Sequence, residues 1–171
     1  KFIKKNGFLI IDSNIFFKVD YRTWLIDLFN KISFYDGKIQ LFDIQIDEIK
    51  NLTFSKDKNE AYSARGAMRF IETQLDRNLI DVVNSYKPEK YHVDKLILEE
   101  VEKTKNRKII LITDDKELRI KSTKFDNKSN LSTHNGNGVF VGVSASDFLR
   151  ALKEAVYNEI NKFLSEKNKK N

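Results

Sequence analysis

Acidic residues that follow apolar runs are the side chains of this sequence best placed for chemistry. The run at residues 8–11 ends on Asp12, and "KIILIT" at 108–113 ends on Thr113 with Asp114 and Asp115 directly after it. Glu48 and Asp94 stand at the openings of two helical patterns, "DEIKNL" and "DKLILEEV". Carboxylate oxygens ligate hard divalent cations, and such a cation makes bound water a better nucleophile and stabilises charge on a phosphoryl group under attack. Taken singly, each acid has a simpler role. Asp12 and Asp114 suit turns or caps, and Glu48 and Asp94 suit the positive end of a helix dipole. Taken together, four or five carboxylates crowded into one pocket repel one another, and a divalent cation relieves that repulsion.

Composition narrows the metal. The chain has no cysteine and two histidines, His92 and His134, so thiol catalysis, disulfides and Cys-based zinc sites are excluded and any metal must be held by oxygen. Magnesium and manganese suit such a set, because they keep several waters and bind substrate phosphates at the same time. A net charge of +6 draws the chain toward polyanions. Its 171 residues, 40% hydrophobic with 13 Phe, are enough for one domain with a sizeable core. No apolar run is long enough for a membrane span, so the expectation is a cytoplasmic protein with no membrane partner.

The elements that must position the acids follow from hydrophobic periodicity. Continuous apolar runs predict buried strands at 8–11, 39–46, 78–83, 108–113 and 139–143. Helical spacing predicts helices at 22–32, at 47–52 with Glu48 in its first turn, at 60–75, from Asp94, and in a short piece holding Leu118 and Ile120. Residues 123–138 read as a polar loop, and Ser144 with Asp147 has capping-box spacing before an amphipathic helix. Strands alternating with helices imply an α/β fold: a mostly parallel sheet with helices on both faces. Groups at the carboxyl ends of neighbouring parallel strands then converge.

In this order, "LIIDSNIF", "IDEIKNL", "VDKLILEEV" and "LITDDKEL" resemble the PIN-domain ribonuclease family across roughly residues 8–152. The resemblance implies a three-layer α/β/α sandwich, with a PIN-like nuclease domain at 1–152 and a helical extension and basic tail at 153–171. It implies catalytic roles for Asp12, Glu48, Asp94 and Asp115 as ligands of Mg2+ or Mn2+, with Ser13 and Thr113 supporting the metal shell. Asp114, where the family often has Asn or another polar residue, joins them as a fifth candidate metal ligand. The implied activity is endonucleolytic hydrolysis of RNA in single-stranded regions. Three other readings compete: a catalytically weak module of the same fold that binds RNA or a protein partner, including a second copy; a structure-specific DNA nuclease; and a phosphoacceptor receiver domain. The last normally needs an acid pair after its first strand, and "IIDSN" offers one.

Overall fold

The computed structural model describes residues 7–34, 36–85, 92–103, 108–128 and 140–154. Most of the "SYKPEKYH" loop, the Gly/Asn-rich stretch after Lys128 with His134, and the tail beyond 154 lie outside the described residues.

Five short apolar runs form the strands: β1 (Gly7–Ile11), β2 (Ile39–Phe42), β3 (Ile80–Val83), β4 (Lys108–Ile112) and β5 (Phe140–Val143). All pairings are parallel, in the order β3-β2-β1-β4-β5. Between them lie α1 (Ser13–Phe17), a 3-10 turn (Val19–Tyr21), α2 (Arg22–Phe34), α3 (Asp43–Leu52), α4 (Lys58–Asp76), α5 (Val93–Lys103) and α6 (Lys116–Lys128). A last helix, α7, is described over 145–154.

Strand side chains alternate between two cores. Leu9, Ile11, Ile39, Leu41 and Ile112 join Leu25, Phe29, Phe70, Ile71 and Ala145 on one face. Ile10, Phe42, Ile109 and Leu111 join Ile97, Leu98 and Leu118 of α5 and α6 on the other. Burial on both faces explains the continuous rather than alternating hydrophobicity of β1 and β4. The result is α/β with three layers, as expected, and with an all-parallel sheet.

Two boundaries differ from the expectation. The stretch 39–46 is strand only to Phe42, and α3 begins at Asp43. Ile44 and Ile46 mimic a period of two, but Ile46 and Ile49 serve one core at helical spacing while Ile44 packs on the other. The Gln45 side chain accepts the Phe42 N–H at 3.0 Å, half of a capping box whose other half phenylalanine cannot supply. Glu48 therefore sits in the second turn of α3. Residues 123–128, expected in a loop, continue α6. That helix starts firmly, because Asp115 Oδ1 accepts the N–H groups of Glu117 at 2.7 Å and Leu118 at 3.0 Å.

Candidate functional site

Strand order reverses at β1, whose neighbours β2 and β4 are reached by crossovers in opposite directions. In open parallel sheets, the crevice at such a switch point, beyond the carboxyl ends of the strands, is where ligands bind. Asp12 follows β1 there and Thr113 follows β4. The register that pairs Ile11 with Ile112 makes the two direct neighbours on one face, and the Asp12 N–H continues the ladder to Ile112 O at 2.9 Å.

Asp12 stands at the N-cap position of α1, yet its carboxylate makes no capping bond. Instead Thr113 Oγ1 donates to Oδ2, while the Asp115 N–H donates to the same threonine oxygen at 3.0 Å, which fixes the hydroxyl's direction. Ser13 Oγ lies 3.3 Å from Asp12 Oδ1 and 2.5 Å from Glu48 Oε2. A serine has one proton to give, so the two carboxylates share it, with the shorter contact favouring Glu48. Asp12 Oδ1 keeps open lone pairs as a result.

Asp12 is only 5% exposed. Burial first, and then the negative charges of Asp94 and Glu48, raise its pKa from 3.8 to about 6 against the lowering hydrogen bonds of Thr113 and Ser13. Asp94, in the first turn of α5, is also raised, by burial and then by the charge of Asp115, with Lys121 and His92 opposing. Asp94 has no hydrogen bond or ion pair among the described residues, and Asp115 spends only one oxygen on its cap. Asp12 thus senses the charges of Glu48 and Asp94, and Asp94 senses that of Asp115, at the carboxyl edge. Among the described residues, no group of three or more His, Asp or Glu side chains is arranged to hold a metal ion.

Asp114 has different company. Its Oδ2 accepts from Lys18 Nζ at 2.5 Å and from Tyr21 Oη at 3.0 Å, and its Oδ1 accepts from the Ala145 N–H at 3.2 Å. Burial pushes this carboxyl up, but Lys18, the Ala145 N–H and Tyr21 outweigh it and hold the pKa below the usual value. The side chain ties the turn after α1 to the start of α7.

Four supporting side chains escaped sequence reasoning. Buried Gln45 donates from Nε2 to Ile11 O at 3.0 Å, which locks the residue before Asp12 to the helix that carries Glu48. A glutamine three residues past a strand's last residue is a capping-box signal, so it was detectable. Arg119 Nη1 donates to Thr113 O at 2.7 Å. Lys18 and Tyr21 reach Asp114 from 96 and 93 residues away in sequence, and no local pattern announces that.

No protein-family model matches the chain, and a search of curated proteins finds no match.

Proposed function

We propose that this chain is a divalent-metal-dependent endoribonuclease of PIN-like type, with Asp12, Glu48, Asp94 and Asp115 forming its acidic centre. The observation that carries the reading is Asp12 itself. It is a buried carboxylate at the switch point with an open oxygen, a pKa pushed to about 6 and two further acids acting on it, and among the described residues no cation offsets them. Keeping such a group is costly unless a ligand uses it. The donor set is all oxygen, which fits Mg2+ or Mn2+. Those ions take one or two protein carboxylates and complete their shells with water and phosphate, so no closed cage of three ligands is required.

When bound, the metal supplies an activated water and charge neutralisation at the scissile phosphate. Thr113 and Ser13 orient the Asp12 and Glu48 carboxylates, Gln45 holds the Ile11 carbonyl in place, and Asp94 and Asp115 close the edge from α5 and α6. Asp114 stands outside this ligand set, because Lys18, Tyr21 and the Ala145 N–H engage both of its oxygens.

The test is cleavage of single-stranded RNA in Mn2+ or Mg2+ by wild type, Asp12→Asn, Asp115→Asn and Asp114→Ala. Loss of at least about a hundredfold in the first two is expected, with a smaller loss in the third. Undiminished cleavage by Asp12→Asn and Asp115→Asn would sink the site. RNA binding by a wild type that never cleaves would favour the binding-module reading.

A further inference from the structure

Two large side chains near this edge are strongly exposed and join neither core among the described residues: Phe54 at 80% and Tyr62 at 65%. Phe54 lies two residues past the end of α3, and Tyr62 lies in the second turn of α4. Arg65 Nη1 donates to Thr53 O at 3.2 Å and so pins the backbone beside Phe54 to α4. At roughly 100° per residue, Lys58, Tyr62, Arg65 and Arg69 fall within about 60° of one another on the exposed side of α4. Glu60 falls on a different side, and Glu72 and Asp76 continue the stripe only in the last turns.

A further cation joins this stripe from α2. Gly66 carries no side chain, and a Cβ there would sit 3.0 Å from Arg22 Nη2, so the guanidinium lies against α4 at Gly66, on the flank of the stripe. Arg22 Nε is buried without a hydrogen-bond partner. None of Arg22, Lys58, Arg65 and Arg69 has a carboxylate partner among the described residues.

The stripe also has a direction. α4, with 19 residues, is about 28 Å long, whereas strands of four or five residues span about 13–17 Å. Its last turn hands the chain to β3 at the amino edge, where the Ile39 N–H bonds Leu79 O. The first two turns of α4, with Lys58 and Tyr62, therefore reach past the carboxyl edge where Asp12 and Glu48 lie, and Arg65 and Arg69 continue the stripe alongside the sheet.

We infer that the α3–α4 corner is a docking strip for single-stranded RNA, with bases stacking on Phe54 and Tyr62 and phosphates paired with Arg22, Arg65, Arg69 and Lys58. Exposed aromatic faces interleaved with unpaired cations are the combination that single strands require, since every base has a stackable face and every link a phosphate. An acidic or purely apolar partner would leave half of the strip unused. Only the choice of RNA among single-stranded polyanions rests on the nuclease reading.

The test is fluorescence anisotropy with a fluorescein-labelled oligouridylate of about twelve nucleotides, within the span a small single-strand site covers. EDTA is present throughout, so that binding is separated from cleavage. Phe54→Ala and Tyr62→Ala should each weaken binding at least about fivefold, the loss of one stacked base. Arg65→Ala/Arg69→Ala should lower the slope of log Kd against log salt by about 0.7 per phosphate contact removed. Phe34→Ala, an aromatic 81% exposed where α2 ends at the opposite edge, should bind like wild type. Unchanged affinity and slope in the strip variants, or no binding by wild type, overturns the inference. So does a wild-type dimer that Phe54→Ala turns into a monomer with RNA affinity intact. RNA that binds through the strip but is never cleaved would overturn the nuclease reading and leave the strip standing.

Discussion

Asp12 is held in a state that opposes its own ionisation. Its folded pKa, about 6, lies above the ordinary 3.8. For an acid shifted upward, the folded chain binds more protons than the unfolded chain between those values, so stability falls as pH rises through that window and is level above it. Raising one carboxyl this far costs the ionised folded state on the order of 3 kcal/mol. Asp114 works in the opposite sense: its lowered pKa contributes stability that is present above the ordinary carboxyl value and lost as pH falls through the folded one. The two effects occupy different pH ranges and can be read separately. In EDTA, urea denaturation of wild type should show stability dropping by about 2–3 kcal/mol from pH 4 to pH 7 at this site. Asp12→Asn should remove most of that drop and be the more stable protein at pH 7. Its carbonyl oxygen can still accept from Thr113, and its amide can donate to Ser13 Oγ, whose own proton favours Glu48. Equal stability of the two proteins at pH 7 would mean that Asp12 is not strained by charge.

At the scale of elements, the close approach of α6 to β5 rests on a missing side chain. A Cβ on Gly142 would land on Ser122 Oγ, with Ser122 Cβ at 3.3 Å and the Arg119 backbone at 3.5 Å. Ser122 is fully buried and bonds Arg119 O at 2.7 Å, and Arg119 in turn holds Thr113 O, so pressure here is transmitted toward the site. Gly142→Ala should therefore destabilise by about 1–3 kcal/mol, as overpacked sites do. Adding Ser122→Ala should recover part of the loss, and additive destabilisation in that double-mutant cycle would refute the contact. The elements themselves were largely legible: buried parallel strands and amphipathic helices announce themselves through apolar periodicity, and β1, β4 and α5 fall where it put them. It misled at α3, where Ile44 and Ile46 imitate a strand, and at α6, whose polar second half has no apolar stripe to mark it. Asp12, Asp114 and Asp115 were legible in the same way, as residues that end runs, and Asp94 as the opening of a helix, whereas Glu48 sits a turn later than its pattern suggested. The bonds that orient them were not, because Thr113 with Asp12, Ser13 with Glu48 and Lys18 with Asp114 are products of the sheet order, and the order of strands leaves no local trace.

That order is what makes the whole molecule a candidate for metal chemistry. With β1 between β2 and β4, the chain delivers Asp12 from one strand, Glu48 from the helix after its neighbour, and Asp115 from the other neighbour, to one edge. The cost is local charge repulsion inside a molecule of net charge +6. A divalent cation bound at this edge would bind the folded chain alone and stabilise it, by about 2.7 kcal/mol at a hundred times its dissociation constant. In a domain of this size that corresponds to a rise of roughly 5–10 °C in melting temperature. Because ligation needs the ionised Asp12, affinity should fall about tenfold for each pH unit below 6. Thermal melts in Mn2+ at pH 8 should therefore show the full rise, melts at pH 5 a much smaller one, and Asp12→Asn little at either pH. Calcium, which prefers more ligands and longer bonds, should do less than manganese at equal concentration. Melting temperatures that ignore millimolar Mn2+ at pH 8, or that rise equally in Asp12→Asn, would show that the carboxylates gathered by this topology serve something other than a metal.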